Sequence, residues 1–483
     1  MYILAIDQGT TGTHSILFDH DGQIVDSRYK EFTQYYPKPG WVEHDPLEIW
    51  QTVVDTVTEL CRNYQGQIAA VGITNQRETT VVWDKTTGKP VYNAIVWQCR
   101  RTTKMCGELK KHQDLFQSKT GLPVDAYFSG TKIKWILDQF GNNFTENLLF
   151  GTIDSWLIWN LTNRKVHATD YTNSSRTLLY NIVERKWDEE CAEILGIPIS
   201  MLPEVRSSMA DYGKVEAIDC LKDVPICGVA GDQQAALFGQ GCVERGSVKN
   251  TYGTGCFAMM NIGDNFQLTE KGLLTTLAID KQGKPCYAFE GSIFIAGALI
   301  QWLRDKLQLI ITAADSEAAA LKVPDNNGVY IVPAFVGLGA PHWDMEARGI
   351  ITGLTRGVNR NHIIRAALES IAYQSVDVLN LMESEAGIAI HELVVDGGAV
   401  VNDFLMQFQA DILNRPVLRP AVTESTALGA AYLAGLKCGF WTDIDELLKL
   451  KKIDHRFEPE MKTDVREQYL SGWQQALRQA MTK

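Results

Sequence analysis

No C-x-x-C pair occurs among the ten cysteines of this 483-residue chain, which argues against zinc ribbons and redox dithiols. Their scatter fits free thiols in a reducing compartment better than a disulfide framework. Neither G-x-x-x-x-G-K-[ST] nor a helix-opening G-x-G-x-x-G is present, so no P-loop lysine and no dinucleotide fingerprint are available. No stretch approaches the roughly 18–20 apolar residues of a membrane span. The apolar run from Tyr2 to Ile6 is too short for a signal peptide and ends at Asp7, so a cytoplasmic location is expected. Positive charge is in deficit: the formal net charge is −12, which argues against nucleic acid or an anionic membrane as partner. A nucleotide remains possible, since its charge can be met locally by Mg²⁺ and backbone dipoles. Pro- or Ser-rich linkers and low-complexity tracts are also missing.

What the chain does have is a pair of short glycine/threonine turns, about half its length apart. The first lies in LAIDQGTTGTHSILFD, Leu4 to Asp19, and the second in VKNTYGTGCFAMM, Val248 to Met260. Each reads as apolar strand, tight turn, second strand. Backbone N–H groups and hydroxyls of such a turn form a nest suited to phosphate oxygens, although either turn alone fits an ordinary hairpin loop. Their pairing predicts a duplicated domain closing on one nucleotide, with the boundary at Gln240 to Glu244. Length supports this, because 483 residues exceed what one core organises. The first 26 residues predict a meander over Tyr2 to Ile6, Ser15 to Phe18 and a third strand from Ile24. Further strands are predicted at Gln67 to Thr74, Ile226 to Ala230 and Leu393 to Val395, and a long helix at His362 to Glu383. The second and third of these strands lead into helices whose N-termini bring partial positive charge to the turn. Strand and helix thus alternate in both halves, an α/β architecture.

Beyond this pattern the chain resembles the FGGY carbohydrate kinases over nearly its whole length. The likeness rests on IDQGTT (Ile6 to Thr11), NQRET (Asn75 to Thr79), NAIVWQ (Asn93 to Gln98), YFSGTKIKW (Tyr127 to Trp135) and DYTNSSRT (Asp170 to Thr177). It continues in AGDQQAALFGQ (Ala230 to Gln240), NTYGTGCF (Asn250 to Phe257), GLGAPHWD (Gly337 to Asp344) and VDGGAVVNDFLMQ (Val395 to Gln407). The resemblance implies two actin/hexokinase/Hsp70-like ATPase domains, ribonuclease H-like with mixed sheets, around a central cleft. They would cover 1–241 and 242–483. It also implies ATP-dependent phosphorylation of glycerol to sn-glycerol 3-phosphate in glycerol catabolism. Another polyol or sugar acceptor, or an ATPase switch module, stands as an alternative.

Carried over residue by residue, the resemblance puts the acceptor against Arg77, Glu78, Tyr127, Asp232 and Gln233, with Trp97 and Phe257 as aromatic walls. A triol needs this mixture of donors, acceptors and flat apolar surface. Asp232 would be the general base, Asp7 and Asp232 would meet Mg²⁺ through water, and Thr10, Thr11, Gly12 and His14 would approach phosphate from the first domain. Thr254 and Gly255 would do so from the second, with Gly297, Gln301, Gly398 and Asn402 lining the adenine nucleotide. A homo-oligomer, dimer or tetramer, is also implied. Two departures stand out. Many relatives carry serines and then an arginine where this chain has Gly12, Thr13 and His14, which leaves a direct cationic contact to phosphate at position 14 an open question. After Gly213, the stretch to Pro225 has neither Gly nor His, so control there by a sugar bisphosphate or a phosphocarrier is not expected.

Overall fold

The computed structural model describes residues 1–140, 146–269 and 271–482. Its first sheet is built from β1 (Tyr2–Gln8), β2 (Gly12–Phe18), β3 (Ile24–Glu31), β4 (Ile68–Asn75) and β5 (Ile226–Gly231). The spatial order is β5-β4-β1-β2-β3. β1 pairs antiparallel with β2, and β2 with β3, whereas β1–β4 and β4–β5 are parallel. The second sheet holds β6 (Val248–Tyr252), β7 (Cys256–Gly263), β8 (Leu274–Ile279), β9 (Pro285–Ile293), β10 (Leu393–Asp396), β11 (Val417–Pro420) and β12 (Ile453–Phe457). Its order is β8-β9-β7-β6-β10-β11-β12.

Within that order, β9-β7-β6-β10-β11 repeats the pattern of β3-β2-β1-β4-β5: two antiparallel pairings followed by two parallel ones. The same chain path has been laid down twice. β8 and β12 are additions at the two edges of the second copy. The fold is therefore a duplicated mixed-sheet α/β architecture, as the paired turns predicted.

Five helices position the site: α1 (Pro46–Cys61), α2 (Asp232–Gly239), α3 (Gly297–Asp305), α4 (Arg360–Ala386) and α5 (Asp403–Leu413). A sixth, α6 (Ser425–Cys438), comes from the second half of the sequence yet packs on the first sheet. β1 explains how. Alternate side chains of a strand face opposite sides; Leu4 and Ile6 share a core with Ile49, Val53 and Val57 of α1. Ile3 and Ala5 share the other core with Ala427, Ala430 and Ala434 of α6. A strand buried on both faces reads as an unbroken apolar run, which is why Tyr2 to Ile6 shows no alternation.

α6 approaches the first domain so closely that side chains are excluded at the contact. A Cβ at Gly429 would lie 1.8 Å from the carbonyl oxygen of Ala235, and one at Gly72 2.2 Å from that of Ala430. Both obstacles are backbone and cannot rotate aside. Gly429→Ala is expected to cost about 1–3 kcal/mol through overpacking, read as a lower urea midpoint with an unchanged slope. Among the described residues, no helix is long and apolar enough to cross a membrane. All ten cysteines are free thiols.

Candidate functional site

The carboxyl ends of β1, β4 and β5 lie side by side, because Asp7 pairs with Thr74 and Gly231 with Asn75. These ends therefore present Asp7, the segment Gln76-Arg77-Glu78 and Asp232 along one rim, where ligands bind in parallel sheets. Asp232 opens α2 directly after Gly231. Its Oδ1 accepts from the Gln233 amide at 2.7 Å and faces Arg77 Nε at 3.0 Å. Oδ2 has no hydrogen-bond partner among the described residues. Asp232 does not act as the helix N-cap; that position is Gly231.

Arg77 and Glu78 are buried, not a surface pair. Arg77 donates from Nη1 at 2.5 Å and from Nη2 at 3.2 Å to the two carboxylate oxygens of Glu290, and Glu78 accepts from Arg176 Nε at 2.6 Å. Burial pushes the Glu78 carboxyl upward, and the two guanidinium groups of Arg176 and Arg77 oppose it. Glu78 has a left-handed backbone at φ 60, uncommon for a residue with a side chain. Its carbonyl is held there by three donors, Thr80 Oγ1, Ser129 Oγ and Lys132 Nζ, each at 3.1 Å. Burial drives the Lys132 ammonium down to about 7, with Glu78 opposing.

The structure brings the three expected aromatic residues together. Trp97 packs edge-on against Tyr127, with ring centroids 5.7 Å apart, and against Phe257 at 6.4 Å. The Trp97 indole N–H also donates to Thr10 Oγ1 at 3.0 Å. One side chain thus touches the first turn, Tyr127 and the strand leaving the second turn.

Both glycine/threonine turns are three-residue hairpin loops, Gly9 to Thr11 between β1 and β2 and Gly253 to Gly255 between β6 and β7. Thr11 is exposed, its hydroxyl 3.2 Å from that of Tyr29. Gly12 faces the Tyr29 ring, 2.6 Å from where a Cβ would stand. Asp7 is half-buried. Burial, then Asp232 and Glu424, push its carboxyl up to about 8. His14 Nδ1 lies 3.8 Å from Glu424; burial lowers the affinity of this imidazole for a proton, and Glu424 opposes that shift.

On the second domain, the Thr254 carbonyl accepts from the amides of Ala296 and Ala298 at 2.9 and 3.0 Å, and Gly253 accepts from Gly297 at 3.0 Å. The second turn therefore sits on the start of α3. Gly297 is required by that contact, since a Cβ would lie 2.5 Å from Gly253 O. Gly255 is likewise pressed against Ile293 O. Gln301, one helical turn past Gly297, is exposed, as is Gly398, which has open space around its Cα. Asn402 caps α5 through Leu405 N at 2.9 Å. No hydrogen bond joins Gln301 to Gly398 or Asn402 among the described residues. They flank the second turn from separate elements.

Four residues that sequence reasoning passed over complete the site. Arg176 and Glu290 belong to the ion cluster. Lys249 donates to Gln233 Oε1 at 2.5 Å and to Thr251 Oγ1 at 2.6 Å, which fixes the orientation of an expected acceptor ligand. Lys132 supports Glu78. Only Glu290 carried a local signal, as the one charged residue in the apolar strand PCYAFEGSI.

A duplicated mixed sheet with a glycine/threonine hairpin turn in each copy coincides with what sequence comparison finds. Residues 2–239 match the N-terminal domain of the FGGY family of carbohydrate kinases, and residues 248–438 its C-terminal domain. The chain belongs to the FGGY family. Similar family members include a glycerol kinase from Carboxydothermus hydrogenoformans, 61% identical over 99% of this chain and 98% of the relative. Glycerol kinase 2 of Thermotoga maritima is 56% identical over 99% of each chain. Among solved FGGY-like structures, the Plasmodium falciparum glycerol kinase with ADP superposes with a TM-score of 0.94 at 38% identity, over 100% of this chain and 98% of that one. A xylulose kinase from Lactobacillus acidophilus shares the fold, with a TM-score of 0.88 at 23% identity over 99% and 96%.

Proposed function

We propose that this FGGY protein transfers the terminal phosphoryl group of ATP to glycerol, giving sn-glycerol 3-phosphate. The observation that carries the reading is Asp232 Oδ2, without a hydrogen-bond partner among the described residues, on the same rim as Arg77 and Glu78. In this reading the acceptor's C–H faces lie on the aromatic rings while Arg77 and Glu78 bond its hydroxyls. A site that hydrogen-bonds particular hydroxyls rejects analogues lacking them, because its own buried groups would be left unpaired. Asp232 Oδ2 removes the proton of the attacking hydroxyl as its oxygen forms a bond to phosphorus. The bond from that phosphorus to the bridging oxygen breaks, and ADP departs. Phosphoryl transfer needs mainly alignment and charge neutralisation, and the backbone amides of the two turns are suited to both.

Mg²⁺ fits this site through Asp7. The carboxyl there is held near two others and has no hydrogen-bond donor among the described residues, an arrangement that a cation relieves. No group of three His, Cys, Asp or Glu with metal-ligand placement occurs among the described residues. The ion would therefore take most of its ligands from water and phosphate, as Mg²⁺ commonly does. Asp7 would hold it through water, and the ion would supply charge neutralisation for the phosphates. The reading also takes the protein as a cytoplasmic homo-oligomer, a dimer or tetramer.

A coupled ADP-release assay over glycerol, xylulose, ribulose, erythritol and no acceptor tests the assignment. Glycerol is expected to give the highest kcat/KM. Preference for a pentulose would instead point to a sugar kinase, and turnover without acceptor to an ATPase switch.

A further inference from the structure

Resting on the acceptor site proposed above, we infer that Glu290 is a positioning residue for acceptor binding, clamping Arg77 from the opposite domain. Glu290 sits in the middle of β9, paired across the sheet with Met259 on one side and Leu274 on the other. Its side chain is fully buried, in a strand with no other charge. A carboxylate in such a place is disfavoured unless matched. Here it is matched twice, by Arg77 through both terminal nitrogens and by Arg176 Nη2 at 2.9 Å. Burial alone would raise its pKa, but Arg176 and Arg77 override that and hold it at about 2.

The consequence lies in what remains of Arg77. With Nη1 and Nη2 held by Glu290 and Nε facing Asp232, the guanidinium plane has one orientation. Without Glu290 the anions left beside it are Asp232, 3.0 Å from Nε, and Glu78 at 3.9 Å, and rotating towards Asp232 would occupy the oxygen needed for the acceptor's proton. Arg176 would likewise be left with Glu78 alone. Arg77, Arg176, Glu78 and Asp232 all lie before residue 241, whereas Glu290 is supplied by the sheet that carries the second phosphate turn. The acceptor site is thus completed by the domain assigned to nucleotide.

Steady-state kinetics of Glu290→Gln and Glu290→Asp on the full chain, with Glu369→Gln as control, test this. Glu369 is equally buried and pairs with Arg365 and Asn326, but touches none of the acceptor residues. For Glu290→Gln the glycerol KM is expected to rise about 30-fold or more, with the ATP KM changed by less than about 3-fold. Glu290→Asp keeps the charge with a shorter reach, and about a 3–10-fold rise is expected. Glu369→Gln should lower the melting temperature and leave the glycerol KM alone. An unchanged glycerol KM in both Glu290 variants, or equal rises for glycerol and ATP, would overturn the proposal. If Glu290→Gln does not fold, Glu290→Asp alone decides, by the same KM comparison. Should the unmodified protein prefer another acceptor, the glycerol assignment fails by itself. The KM comparison is then read on that acceptor, and the two outcomes stay separate.

Discussion

Asp232→Asn is expected to lower kcat by about 10²–10⁴-fold, the range for losing a general base, while binding of glycerol and of ATP survives. Asparagine keeps the oxygen that accepts from the Gln233 amide and faces Arg77 Nε, so the start of α2 should hold its shape. What it cannot do is accept a proton at the position of Oδ2. Single-turnover kinetics isolate the chemical step, and calorimetry of glycerol binding checks the ground state. Near-normal kcat would remove Asp232 from the mechanism. Loss of glycerol binding in parallel with kcat would recast it as an acceptor ligand only.

Asp7→Asn should have opposite effects on stability and on activity. In the unfolded chain a carboxyl of this type titrates near 3.8, whereas in the folded protein Asp7 holds its proton up to about 8. Below the lower value both states are protonated. Between the two, only the folded state keeps the proton, so stability falls as pH rises through that window and levels off above it. Asparagine carries no such cost. At pH 8.5, without ligands, Asp7→Asn is expected to melt about 2–6 °C above the parent, and the gap should close towards pH 4. Turnover with Mg-ATP should fall by about 10²–10³-fold, as for other losses of charge stabilisation in the transition state. Mg-ATP should also raise the parent's melting temperature more than the variant's. A variant less stable than its parent at pH 8.5 would contradict the burial argument, and one with full activity the metal assignment.

Local patterns in the sequence revealed the parts of this fold that are local in the chain. A strand buried on both faces shows as a run such as Leu4-Ala5-Ile6, and a three-residue turn shows as Gly-Thr-Thr or Gly-Thr-Gly. Repetition of these two signals was enough to predict a duplication, and the motifs around Arg77, Trp97, Tyr127 and Asp232 supplied the acceptor site proposed above. The ion cluster was not legible in the same way. Arg77 and Glu290 are 213 positions apart, and Arg176 and Glu290 are 114; no periodicity connects them. Arg176 lay inside DYTNSSRT without a visible role. The fold explains that segment: Thr172 Oγ1 accepts the Gly231 amide at 2.9 Å, and Asn173 exchanges amide hydrogen bonds with Asn75 at 3.0 and 3.1 Å. It braces the start of α2 and the loop after β4 together. The path of α6 was equally hidden, because its small-residue face, Ser425 to Cys438, specifies close packing but not the partner.

That helix has a bearing on how the protein can be divided. A polypeptide ending at residue 241 would lack the segment that seals one side of its own sheet, leaving Ile3, Ala5 and Gly72 facing water. The complementary fragment would carry α6 with nothing to nest against. Neither fragment is expected to be soluble when produced by itself, whereas co-expression should let them reassemble, since the missing piece of each is present on the other. Gene fusion and circular permutation designs would therefore do best to keep α6 in the same polypeptide as β1, β4 and β5.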